Sequence, residues 1–191
     1  MLIFSPLLVL SQMRTFPQAI SGFPFAASRY IESMATHDDL LQHVEELAAS
    51  ASDTRTLMQR VSDYLHSVMP RYNSISFRFI EDANPGMLIL GPYTGSFTPQ
   101  LRIAIGRGLC GTAAATEKTV VVNNVADDIR YLQGSSMVKS EIVVPIFVRG
   151  KFAAEIDVQS YFVDTFKDLK DRSLLESCAR VVGKFMEGRP R

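Results

Sequence analysis

Cysteine is scarce in this chain: Cys110 and Cys178 are the only two among 191 residues. That is too few for a disulfide framework, so both read as free thiols of a protein in a reducing compartment, and a cytoplasmic location is expected. Net charge is lacking as well. Twenty basic residues balance 20 acidic ones and neither sign clusters, so nothing draws in a phosphate backbone or an anionic lipid surface, and neither nucleic acid nor membrane is an expected partner. Metal-binding spacings are missing: no C-x-x-C or H-x-x-x-H occurs, and from spacing neither a metal nor another cofactor is expected. No Walker-type lysine follows a glycine loop. The three histidines, His37, His43 and His66, all precede the first expected strand, so a Cys–His nucleophile pair at Cys110 has no local support.

What is present is a chain with 47% hydrophobic residues, enough for one domain with a sizeable core. Residues 1–33 differ from the rest, being apolar and proline-dotted, with Arg14, Arg29 and Glu32 their only charges. The opening MLIFSPLLVL is too short to span a bilayer, is broken at Pro6 and has no basic n-region, although PFAAS resembles a cleavage site. A disordered leader or an upstream start is expected there. The domain is expected over 34–187, with a short tail at 188–191.

From Met34 the pattern is regular. Thr36 and Asp39 ahead of Leu40, Leu41, Val44, Leu47 and Ala48 read as a capped amphipathic helix. Asp53 caps a second, with Leu57, Val61, Tyr64, Leu65 and Val68 on one face, and Pro70 ends it. The period then falls to two: Ile75, Phe77 and Phe79 share one face of a strand, Ser74, Ser76 and Arg78 the other. A turn over 82–86 leads to a strand over 87–90, which 91–95 breaks. Leu101, Ile103 and Ile105 mark a third strand, 111–117 a short helix and 119–122 a fourth strand. Beyond a polar segment at 123–139, strands over 141–148 and 151–160 flank a tight turn at Arg149–Gly150. A helix over 166–186, capped by Thr165, closes the chain with Leu174, Cys178, Val181, Val182 and Phe185 inward. Helices, then strands, then a helix indicate an α+β fold.

The stretch 106–111, GRGLCG, fits the G-x-G-x-x-G phosphate-loop pattern. Only the residues 111–118 separate it from the next strand, too few for the parallel crossover that a dinucleotide fold requires, so the glycines read as a tight backbone path. Cys110 falls just before the expected helix, where partial positive charge favours thiolate; burial as a small hydrophobe is the competing reading. Glu155, Asp157 and Gln159 alternate on one strand face, which suits a wet sheet surface or a pocket wall equally. Arg78, Glu141 and Asp157 lie beside the long polar loop, the kind of place where sites form.

LGPYTGSFTPQLRIAIGRGLCGTAAATEKTVVVNNVAD and the later SEIVVPI resemble a GAF domain, specifically the free methionine-(R)-sulfoxide reductases. The resemblance implies a six-stranded antiparallel sheet with the N- and C-terminal helices on one face and a ligand pocket with short helices on the other, under the loop at 123–140. Dimerisation through the terminal helices is also implied. The reductases' attacking cysteine corresponds to Gly134, and an upstream cysteine to Gln100, while the turn cysteine is kept as Cys110. Glu141 and Asp157 match acids that hold the substrate's amino group; a further acid corresponds to Gln159, and an aromatic pair to Ser74 and Arg78. Without a thiolate at position 134 the sulfenic-acid step has no nucleophile.

The expectation is therefore a stand-alone GAF-type sensor domain, without catalysis, that binds a small polar metabolite at Ser74, Arg78, Gly134, Glu141, Asp157 and Gln159 and signals through a partner in trans. One alternative is a reductase-like enzyme in which Cys110 attacks, with Cys178 or an external thiol resolving. Another is a dimeric interaction module without a ligand.

Overall fold

The structure, a computed structural model, describes residues 36–188. The expected leader, and the tail beyond Gly188, lie outside the described residues. Helix α1, His37–Ser50, starts at a capping box in which Thr36 and Asp39 satisfy each other's backbone N–H groups. Asp53 accepts a hydrogen bond from the Thr56 N–H at 2.9 Å and starts α2, Thr54–Val68.

Strands β1 (Ser74–Glu81), β2 (Asn84–Gly95), β3 (Arg102–Ala104), β4 (Val120–Val122), β5 (Ser140–Val148) and β6 (Lys151–Ser160) form one sheet in the order β3-β2-β1-β6-β5-β4. Every pairing is antiparallel, so the parallel crossover of a dinucleotide fold is absent among the described residues. Helix α3, Gly108–Thr116, lies between β3 and β4, and α4, Leu169–Glu187, ends the described chain. The α+β class and the six-stranded antiparallel sheet are as expected.

The sheet separates two cores. On one face α1, α2 and α4 pack through Leu40, Val44, Leu57, Val61, Leu65, Leu174, Cys178 and Val182 onto Ile75, Phe77, Ile142, Ile156 and Val158. On the other, α3 and the segment after β4 gather Leu109, Cys110, Ala113, Val125 and Val138 over Leu88, Ile103 and Val143. Strand alternation sorts the side chains between the two cores.

Three expected boundaries are corrected. Strand β2 does not stop at Leu90: Ser76 pairs with Tyr93 and Arg78 with Leu90, so Gly91 and Pro92 together face Phe77 as a bulge and the ladder resumes. A Cβ on Gly91 would come within 2.5 Å of the Phe79 ring, which is why glycine stands at that bulge. The preceding turn is tighter than expected, because Glu81 already pairs with Asn84. Helix α4 begins at Leu169 under an Asp168 cap, not at Thr165. Phe166 instead turns into the core against Tyr72, ring centroids 5.7 Å apart, and Thr165 is tied to Ser160 and the Phe162 carbonyl.

Candidate functional site

Three adjacent strands supply the polar groups of the second face. Opposite neighbours in the ladder are Ser76 and Asp157, Arg78 and Glu155, and Glu141 and Gln159. Period-two alternation aims all of them away from the helices and under α3. Arg78, Glu141, Glu155 and Asp157 are each at most 4% exposed. Above them the roof is built from Ile103, Gly108, Leu109, Cys110 and, from the polar loop, Leu132 and Gly134. The cavity, partly open beside Gln100 and Gly134, is about 30 Å³, room for a water or an ion.

The glycine motif shapes this roof. Gly106 and Gly108 take φ of 87° and 68°, a region costly for side-chain-bearing residues. Gly111 lies against the end of β3, where a Cβ would sit 2.4 Å from the Ala104 carbonyl oxygen, and its own carbonyl accepts the Gly106 N–H at 2.7 Å. The motif therefore lets a helix lie directly on a strand edge, as the spacing predicts, and α3 starts three residues earlier than expected.

Cys110 is the third residue of α3 and buried at 3% exposure, which favours its reading as a small hydrophobe over its reading as a thiolate. Burial pushes its thiol well up, and the charges of Asp157 and Glu155 push further than Arg78 pulls back. Partial charge at the helix end is outweighed by desolvation among acids, so the thiol keeps its proton. Cys178 belongs to the opposite core, pushed up to about 12 by burial. The sheet stands between the two sulfurs, which overturns Cys178 as a resolving thiol for Cys110.

Arg78 donates through Nη1 to the Gln100 carbonyl at 2.7 Å and carries the positive charge facing Asp157 and Glu155. Gln159 donates to Glu141 at 3.1 Å and to Asp157 at 3.4 Å; Ser76 donates to the same Asp157 oxygen at 3.3 Å. Both Glu155 oxygens, Asp157 Oδ1, Gln159 Oε1 and Arg78 Nε meet no nitrogen or oxygen partner, and the Cys110 thiol lies against Glu155, Asp157 and Arg78. All three carboxyl groups are raised, burial being the first cause in each, with Asp157 adding negative charge beside the two glutamates.

Of the residues expected at a site, Arg78, Cys110, Gly134, Glu141, Asp157 and Gln159 share this cavity. Ser74 does not line it. Ser74 is buried one strand repeat further along, against Gly95, whose Cβ would come 2.9 Å from the Ser74 hydroxyl. Glu155 is the acid that site selection from sequence omitted. The signal for it was its alternation with Asp157 and Gln159, but only the pairing with Arg78 shows that this face is dry.

A six-stranded antiparallel sheet with terminal helices on one face and a loop-covered polar floor on the other defines a GAF-like α+β domain. The GAF domain family matches residues 51–187, and the chain belongs to it. Within the family its homology is to the free methionine-R-sulfoxide reductases: it is 35% identical to that enzyme of Saccharomyces cerevisiae over 59% of this chain and 62% of the yeast protein. It is 30% identical to Protein YtsP of Bacillus subtilis over 72% of this chain and 83% of that protein. The Neisseria meningitidis free methionine-R-sulfoxide reductase, solved in complex with its substrate, superposes with a TM-score of 0.74 at 27% identity, covering 90% of this chain and 95% of that one. Among the described residues no helix is long and apolar enough to cross a membrane.

Proposed function

We propose that the chain is a stand-alone GAF-type sensor domain that binds a small polar metabolite in the cavity beneath the loop at 123–140 and does not turn it over. The observation that carries this reading is a set of buried polar atoms with spare capacity: Asp157 Oδ1, Gln159 Oε1 and Arg78 Nε beside the cavity, and Glu155 behind them, meet no nitrogen or oxygen partner. Such groups cost free energy unless something satisfies them. A ligand bearing both donors and acceptors does so. Uptake widens the site, because a cavity of about 30 Å³ is smaller than a metabolite, and the loop at 123–140 is the part to move, with Leu132 lying over Gly108. Signalling then passes to a partner in trans, through a dimer formed by the terminal helices.

A thermal-shift screen of amino acids, nucleotides and inorganic anions tests the binding step, run once in chelator and once with a divalent cation added. Ligand at a hundred times its Kd adds about 2.7 kcal/mol of stability. The expected hit loses its effect in Asp157→Asn, and a screen without any stabilising compound refutes the reading.

The reductase reading is favoured by the homology and by Cys110 lining the cavity. Against it stands the protonated, buried state of that thiol, since the thiolate is the nucleophile. NADPH oxidation coupled through thioredoxin, compared with Cys110→Ser, separates the two: equal rates exclude an enzyme working through Cys110.

A further inference from the structure

The floor of the cavity brings together three metal-ligating groups that the sequence keeps apart. Cys110 comes from α3, Glu141 from β5 and Asp157 from β6, and their Sγ and carboxylate oxygens all lie within 4.8 Å of one another. All three are buried. Donors around a tetrahedral Zn²⁺ at about 2.0–2.3 Å stand roughly 3.5 Å apart, so closing on an ion needs a contraction of about 1 Å or a little more.

Two further observations point to a cation. Glu155 is fully buried and faces the same cluster with only the Cys110 thiol against its carboxyl group, and neither its oxygens nor Asp157 Oδ1 meet a nitrogen or oxygen donor. Three buried carboxyl groups also face a single guanidinium, Arg78. Buried acids in this number are met either by protons or by a further cation. The cavity, about 30 Å³, has room for an ion beneath the loop.

We infer that Cys110, Glu141 and Asp157 form a binding site for a thiophilic divalent cation of the Zn²⁺ type, with Glu155 beside it as a further oxygen donor or as the group that compensates its charge. This rests on reading the cavity as a binding site and deepens it: three protein donors leave a coordination position for a donor atom of the metabolite. On binding, the Cys110 S–H bond and the O–H bonds of whichever of Glu141 and Asp157 carry a proton break, each donor atom keeps its electron pair and gives it to the metal, and the protons pass to solvent. No oxidation change occurs. Arg78 does not oppose this, because the thiolate and three carboxylates still exceed the charge of the metal and guanidinium together.

Co²⁺ titration of the purified chain, stripped with chelator, tests the inference through the near-ultraviolet charge-transfer band that only a thiolate–Co²⁺ bond gives. One equivalent is expected to produce the band, Zn²⁺ to displace it, Cys178→Ser to keep it and Cys110→Ser to abolish it. Because Cys110→Ser alters a buried helix residue, Glu141→Gln provides a second measure: with native circular dichroism it should weaken Co²⁺ by more than about tenfold, since even outer-shell changes cost that much. Absence of the band in the unsubstituted protein, its persistence in Cys110→Ser, or undiminished affinity in Glu141→Gln overturns the metal site. A metabolite that stabilises the protein in chelator while Co²⁺ fails to bind overturns the metal and leaves the binding reading standing; Co²⁺ binding without any metabolite hit does the reverse.

Discussion

Gly111→Ala is the substitution for which the structure gives the most definite number. Alanine is the better helix former by about 1 kcal/mol, and Gly111 lies inside α3, so propensity alone makes the change stabilising. Packing opposes it. The added carbon would stand 2.4 Å from the Ala104 carbonyl oxygen, 3.0 Å from the Gly106 nitrogen and 3.3 Å from its carbonyl carbon. All three are backbone atoms at a strand end and its turn, so no side chain can swing aside. Ordinary contact begins near 3.4 Å, and α3 must therefore retreat by about 1 Å, carrying Leu109, Cys110, Ala113 and Ala114 away from the core they fill. Overpacking of that kind costs about 1–3 kcal/mol. With the clash against rigid backbone taken in the upper part of that range, about 2–3 kcal/mol, the net loss after the propensity gain is about 1–2 kcal/mol, or a fall in Tm of roughly 2–8 °C for a domain of this size. Urea unfolding followed by circular dichroism measures it, with Cys110 reactivity toward a thiol reagent rising as the roof lifts. If Gly111→Ala is as stable as the parent, the helix does not rest on the strand edge as described.

Gly134 provides the opposite case: a Cβ there meets nothing within 4 Å and its φ is not left-handed. Gly134→Ala and Gly134→Cys should both fold with stability within about 0.5 kcal/mol of the parent, and a larger loss in a denaturant titration would show that the loop packs more tightly than this. Tyr72 donates its hydroxyl to Asp171 at 2.7 Å, linking the start of the sheet to the first turn of α4. Tyr72→Phe should cost about 1–2 kcal/mol at neutral pH. Burial raises Asp171, but the Tyr72 bond acts in the lowering direction because it favours the carboxylate. The bond's contribution is thus present above the carboxyl's titration range and lost as pH falls through it, so the difference between parent and Tyr72→Phe should shrink in acid. A difference that is constant across pH would mean that the hydroxyl does not bond the ionised form.

Much of the fold is legible in the chain because its signals are local. The Thr36–Asp39 box, the Asp53 cap and the Arg149–Gly150 turn, with φ of 50° and 76° at its two residues, involve neighbours that find one another wherever the segment folds. Alternation over 74–79 assigns Ile75 and Phe77 to the helix side and Arg78 to the other. Where the reading differs, a non-local contact decides. Gly91 and Pro92 signal a break until Phe77 is placed opposite them, and Thr165 resembles a helix cap until Phe166 is drawn into the core against Tyr72. The Cys110 thiol follows the same rule. Its position near a helix end is local, but the acids that face it arrive from strands more than thirty residues away in sequence.

The sequence by itself determined the class of fold, the absence of a dinucleotide crossover, and the resemblance to the reductases together with glycine at position 134. Residue period and crossover length are properties of consecutive residues, and no later contact can change them. Tertiary structure alone decided that the polar face of β6 is dry, that Cys110 and Cys178 lie on opposite sides of a sheet, and that a cysteine, a glutamate and an aspartate from three elements meet in one cavity. Burial and proximity arise only when distant strands pair, and they govern whether an acid keeps its proton and whether a thiol can act.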